Sequence, residues 1–267
     1  MPRGRKKSSS SETSIRQRAY LEIQRRIATG VLPAGSAISE LDLARELGSS
    51  RTPIREALSQ LVAEGLLEQN EAGSISVIQM TRENIVDTCE LREALEIYAV
   101  GKVARLGLLR PADQEQLEAL IHRIEILRDE LATSGQPSLN EEQNNRLLAA
   151  DLSFHALLIG LSQNGRINKV VNDTRLLLRI FTMRRENHNV PALERIHKQH
   201  KELVKMIQRR DEPAACRILS EHIQSSQRER LEEFDQHQRE AAMRRSLPAF
   251  LEMYQPLHLE TAAKKRR

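Results

Sequence analysis

The sequence predicts a mainly α protein: an N-terminal winged helix-turn-helix (three helices plus a two-stranded wing) followed by an all-α six-helix bundle. Three observations predict it. Gly and Pro are sparse, 11 and 9 among 267 residues, and Leu/Ala/Glu/Arg-rich runs dominate, which favours helix. Apolar residues recur at helical spacing along most of the chain, with a change of period between Leu66 and Met80. Just before that change, two short helical patterns are joined by a tight Gly-containing turn, the helix-turn-helix signature. The expected division is 1–14 a disordered basic and Ser-rich tail, 15–80 the winged domain, 81–245 the bundle and 246–267 a second tail.

Composition narrows the function classes. Hydrophobic residues are 39% and charged residues 29%, as in a soluble globular protein, and the formal net charge of +4 is only a mild bias towards anionic partners. Aromatics are 3% and Trp is absent, which argues against a base-stacking platform for single-stranded nucleic acid. No long apolar run or secretory signal is present, so no membrane span and a cytoplasmic location are expected. Cys89 and Cys216 lie far apart inside helical patterns and read as free thiols of a reducing compartment.

In chain order, Arg3, Arg5, Lys6 and Lys7 form a basic start that either reaches DNA phosphates or is simply solvated. Ile15, Ala19, Ile23 and Ile27 define one face of a first helix, closed by Gly30. Ser39 caps a second helix with Leu43, Ala44 and Leu47 on its buried side, and Gly48 ends it. For the third helix, Thr52 is the expected N-cap and Pro53 the first helical residue. Ile54, Leu58, Leu61 and Val62 make its apolar stripe, while Arg51, Arg55 and Ser59 share another face. A helix held from behind, with arginines at its N-terminal end and the positive pole of its dipole there, suits reading a DNA major groove. A surface helix with solvated arginines is the alternative at this point. Leu66–Gln69 and Ile75–Met80 read as two short strands about Gly73.

The bundle begins at Thr81 with Asn84, and Pro111 opens its next helix. A loop spans 133–140, and further helices are expected at 141–163, 166–186, 191–210 and 212–245. Asp151 and His155 are four residues apart and share one helix face. His200 and His222 each lie 11 residues from a hairpin tip near Asp211, so they come level across an antiparallel pair. Three imidazoles and a carboxylate suit Zn, Ni, Mn or Fe. His197, one turn from His200, is a rival ligand. His122, His188 and His237 read as surface or packing residues.

The residues Ser39-Glu40, Leu47-Gly48, Ser50-Arg51-Thr52-Pro53-Ile54-Arg55-Glu56-Ala57-Leu58 and Glu64-Gly65-Leu66 resemble the winged helix of GntR-family bacterial transcription regulators. Leu91-Arg92-x-x-Leu95-Glu96, Asp151-x-x-x-His155, Asn164, His200, Asp211, Ala215 and His222 resemble the FCD ligand-binding domain of the FadR-type branch. The resemblance covers about residues 15–235. It implies a homodimer on a pseudo-palindromic double-stranded operator, with Arg51 and Arg55 on bases or phosphates and Thr52 on the backbone. Arg45, Ser50 and the wing residue Gly73 join that DNA-binding set. It also implies a divalent metal on Asp151, His155, His200 and His222. The resemblance further implies a small organic-acid effector that completes the metal's shell, with Arg92 as its counter-charge. Two positions depart from the pattern: Ala72 stands where the wing usually has a basic residue, and Gln199 stands where a Glu often precedes His200. A mononuclear metalloenzyme and a regulator with a purely structural metal are the competing readings.

Overall fold

Residues 9–28, 31–181 and 188–246 are described by a computed structural model. Arg3, Arg5, Lys6, Lys7 and Lys264–Arg267 lie outside the described residues. The chain divides into two compact units, the first ending at Gln227 and the second beginning at Arg228.

The N-terminal domain is built from α1 (Ser9–Ala28), β1 (Ala37–Ile38), α2 (Glu40–Glu46), α3 (Arg51–Ala63), β2 (Leu67–Gln69) and β3 (Ile75–Val77). The stripes read from the sequence converge on one core: Ala19, Ile23 and Ile27 of α1, Leu43 and Ala44 of α2, and Ile54, Leu58 and Leu61 of α3. Leu58 is fully buried, and truncating such a side chain to Ala costs about 2–5 kcal/mol. Two side-chain bonds tie α1 to its neighbours. The Tyr20 hydroxyl donates to Glu64 at 2.7 Å and Arg26 donates to Glu46 at 2.6 Å.

Three local features differ from expectation. Helix α1 starts at Ser9, before the expected Ile15, because the Ser/Glu/Thr run ahead of the apolar stripe continues the helical backbone. Helix α3 is capped two residues earlier than Thr52. Ser50 is the N-cap with extended backbone (φ −75°, ψ 163°), and Thr52 is already helical. Pro53 is tolerated there because the first helical N–H groups have no intrahelical partner to lose. The wing is part of a three-stranded antiparallel sheet in the order β1-β3-β2, with Ile38 opposite Ile75 and Leu67 opposite Val77. β1 is two residues long, too short to show an alternating pattern. Gly73, at φ +81°, turns the chain between β2 and β3 in a conformation that other residues resist.

The second domain holds α4 (Arg82–Leu106), α5 (Pro111–Ser134), α6 (Glu141–Gly160), α7 (Gly165–Phe181), α8 (Val190–Gln208) and α9 (Glu212–Ser246). The breaks follow local chemistry. Thr81 and Asn84 form a reciprocal capping box on α4, and Asn140 with Gln143 does the same on α6. Asn164 Oδ1 accepts from the backbone of Arg166 and Ile167 at the start of α7, and Asp211 Oδ1 from that of Ala214 at the start of α9. Gly107 ends α4 in the left-handed conformation. Phe154, Val100, Leu117, Leu203, Ala215 and Leu219 pack the core around which five of these helices meet. α7 packs on α4 and α6 and also lies against α1 of the N-terminal domain. Cys89 is buried, and neither Cys89 nor Cys216 is in a disulfide.

The described part of the second unit, 228–246, is helical, with Gln236 bonded to Glu240 at 3.0 Å. No described helix is long and apolar enough to cross a membrane.

Candidate functional site

The bundle brings Asp151 and His155 of α6, His200 of α8 and His222 of α9 together, with one donor atom of each within 4.8 Å of every other. His155 Nε2 lies 3.7 Å from Asp151 Oδ1 and 3.3 Å from His222 Nε2, and His200 Nε2 lies 3.5 Å from Asp151 Oδ1. Two donors bound to one ion at ~2.0–2.1 Å in a tetrahedron stand roughly 3.3 Å apart, so these spacings match a shared cation.

The group fits a metal on a second count. Both ring nitrogens of His200 are buried and have no hydrogen-bond partner, although buried polar atoms are nearly always paired. Phe154 stacks on that ring, centroids 4.0 Å apart and planes 8° from parallel, and holds it in place. Burial pushes the three imidazoles down: His200 well below its ordinary value, His222 to about 3, and His155 in the same direction. Neutral imidazoles are the form that binds metal. Burial alone would raise Asp151, but the electrostatic influence of the His155 and His200 rings and of the Arg175 guanidinium holds its carboxyl below the usual range.

A second layer sits behind these four. Gln199 Oε1 lies 3.0 Å from His222 Nδ1, which places the His222 proton there and leaves Nε2 bare towards the cluster. The substituted position thus orients His222 rather than its neighbour His200. Glu96, fully buried, accepts from Arg92 Nε at 2.9 Å and from Arg175 Nε and Nη2 at 3.0 and 2.7 Å. Its Oε2 is also 3.1 Å from His155 Nδ1, close but poorly aligned as a hydrogen bond. Burial opposes the Glu96 charge, yet Arg175 and Arg92 hold its carboxyl well below the usual range. Arg175 Nη1 reaches to 3.6 Å from Asp151 Oδ2.

Arg92 is therefore next to the cluster as expected, but already paired. Arg175 had no expected role. Its signal was present, since it falls four residues after Val171 and eight after Ile167 on the buried stripe of α7, a charged residue on an apolar face. The rival ligand His197 is not brought to the cluster. Its Nε2 faces Glu125 at 4.0 Å, in a groove it shares with His122. His122 bonds Glu125 at 2.9 Å, buried His188 bonds Asn144 at 2.8 Å, and His237 bonds the Glu233 carbonyl.

In the N-terminal domain Arg45, Ser50, Arg51, Thr52, Arg55 and Gly73 are all exposed. Arg51 and Arg55 stand one turn apart at the N-terminal end of α3. The Ser50 side chain makes no cap bond, so the N–H groups of the first turn of α3 keep their affinity for a phosphate. Arg51 and Arg55 both bond Glu40, and Arg45 lies 3.5 Å from Asp42. Ala72 at the wing tip is exposed.

A helix-turn-helix with exposed arginines at the tip of its third helix, joined to a helical domain with a buried ligand cluster, defines a DNA-binding regulator. Residues 15–77 match the family model "Bacterial regulatory proteins, gntR family", and residues 87–225 match "FCD domain". The chain belongs to the GntR family of bacterial transcriptional regulators, in its FCD-containing form, and is not an enzyme. It is 33% identical over 190 residues to the Nta operon transcriptional regulator of Aminobacter aminovorans, covering 71% of this chain and 82% of that one. It is 27% identical over 199 residues to the probable D-xylose utilization operon transcriptional repressor of Paenarthrobacter nicotinovorans, covering 74% and 80%. Its fold is that of the solved structure of E. coli McbR/YncC, at a TM-score of 0.63 and 18% identity over 82% of this chain and 97% of the other.

Proposed function

We propose that this regulator is a repressor that binds a pseudo-palindromic operator as a homodimer and changes its operator affinity when a small organic acid enters the metal centre. Arg51 and Arg55 read the major groove, the α3 N-terminus and Thr52 hold the phosphate backbone, and Arg45, Ser50 and Gly73 complete the contact. Asp151, His155, His200 and His222 hold a divalent ion, which supplies open coordination positions for a carboxylate. The relative named a repressor supports that direction of control. The unpartnered ring nitrogens of His200 are the observation that carries the metal-dependent half.

An effector shifts the equilibrium only if it binds the DNA-competent and incompetent states unequally. Two elements supply a route for that difference. α4 carries Arg92 and follows the wing directly. α7 carries Arg175 to the cluster and also lies against α1. Asp173 of α7, paired with Lys169 at 2.6 Å, adds its charge to the surroundings of Tyr20, which is bonded to the end of α3 through Glu64. An anion competing with Glu96 for Arg92 and Arg175 shifts both helices. Coupling of ~1–3 kcal/mol changes operator affinity about 5–150-fold.

The test is metal analysis of the purified protein, followed by operator titrations with and without a panel of organic acids, in wild type and in His200→Ala. An acid that changes affinity equally in both proteins defeats the metal route. A purely structural metal is the second reading, and the pairing of Arg92 and Arg175 with Glu96 favours it. In that case chelation unfolds the bundle and no acid alters DNA binding.

A further inference from the structure

The N-terminal domain holds an acidic group where a DNA-binding surface would be expected to be wholly basic. Glu40, the first residue of α2, faces the tip of α3. Arg55 donates to it from Nε at 3.1 Å to Oε1 and from Nη2 at 3.0 Å to Oε2, a two-pronged bond. Arg51 Nη2 adds a third contact at 3.3 Å. The Glu40 side chain is 21% exposed, against 59% and 61% for the two arginines. The carboxylate thus sits beneath, and the guanidinium groups project past it.

We infer that Glu40 is a positioning residue for DNA recognition, clamping Arg51 and Arg55 so that the domain discriminates between sequences instead of gripping any phosphate. This rests on the reading that these arginines contact DNA.

The physical reason is geometric. A free arginine on a flexible stem turns to whichever phosphate is nearest, and such contacts carry no sequence information. A guanidinium held at Nε and one Nη has its plane fixed, and its remaining N–H groups point outward for a base edge. An exposed ion pair of this kind adds little to stability, so it does not lock the arginines away from DNA. The Arg55 and Arg51 bonds hold the Glu40 carboxyl below its ordinary value, so it stays charged and also repels the backbone of a poorly seated duplex. Glu46, on the same helix, carries the same charge but is bonded to Arg26 of α1.

The experiment measures binding of the full-length protein, across a salt series, to two duplexes. One is selected from a random library by the wild type, and the other is its scrambled counterpart. Glu40→Gln is expected to raise affinity for the scrambled duplex about eightfold per half-site at 0.1 M salt, the worth of roughly one extra phosphate contact, and to steepen its log–log salt slope by about 0.9 per half-site. Affinity for the selected duplex changes less, so the ratio between the two falls. Glu46→Gln is expected to leave that ratio unchanged. If Glu40→Gln shifts both duplexes by one factor, as Glu46→Gln does, the clamp is wrong. Should Glu40→Gln melt the domain, Glu40→Asp keeps the charge but shortens the reach, and is expected to lower the ratio without changing the slope; an unchanged ratio there overturns the clamp. Arg51→Ala and Arg55→Ala separate the two layers of the argument. If neither weakens the selected complex, the arginine reading fails and takes the clamp with it. If they weaken it while Glu40→Gln behaves like Glu46→Gln, only the clamp fails.

Discussion

The molecule uses one arrangement twice, a glutamate shared by two arginines, in opposite surroundings. Glu40 with Arg51 and Arg55 lies at the surface of the reading domain, and Glu96 with Arg92 and Arg175 is sealed in the bundle. Solvent makes the first group cheap to rearrange, since water replaces whatever bond is given up. Burial makes the second group costly to break, because a charge left without its partner has no water to turn to. The surface group is suited to offering the remaining N–H groups of its arginines to DNA while Glu40 sets their planes. The buried group is suited to fixing the geometry of the ligands beside it and to responding only to a competing anion.

The comparison breaks most sharply at Glu96. Glu96→Gln leaves buried Arg92 without its carboxylate and Arg175 with only the more distant Asp151, and urea denaturation is expected to show a loss of about 3–5 kcal/mol. A loss near zero would mean that water reaches the pair. The next effect is at the proposed metal cluster. Chelation is expected to lower the stability of the wild type by roughly 3 kcal/mol if the ion is held at about a hundred times its dissociation constant. His200→Ala is expected to purify with little metal and to melt at the same temperature with and without chelator. At the surface, Arg55→Ala is expected to leave thermal stability almost unchanged while weakening the selected duplex roughly ten- to a hundredfold per half-site, read by anisotropy titration. The smallest effect belongs to the wing. Ala72→Lys is expected to steepen the salt dependence of DNA binding by about 0.9 per half-site, if the wing tip approaches a phosphate. An unchanged slope would place the tip away from the backbone.

Much of this was legible in the chain. The apolar stripes of α1, α2 and α3, and the stop signal Gly48, are local features encoded within a few residues. Asp151 with His155 and the level pair His200 and His222 were readable because helix rise and hairpin symmetry convert spacing into position. The N-cap of α3 was misplaced because Ser50 and Thr52 are both good caps, and the choice depends on the path by which the chain arrives from Gly48. Strand β1 was missed because its two residues are extended only by pairing with β3.

By itself, then, the sequence determined the helices, the arginines at the tip of α3 and the four candidate ligand residues in the bundle, since each follows from periodicity or from side-chain type at a fixed spacing. Tertiary structure alone decided which charges meet. Glu96 and Arg175 lie 79 residues apart, His222 turns to Gln199, and His197 turns away to Glu125. No local pattern specifies such pairings, because they depend on which helix faces are pressed together, and burial then sets whether each pair is exchangeable or fixed.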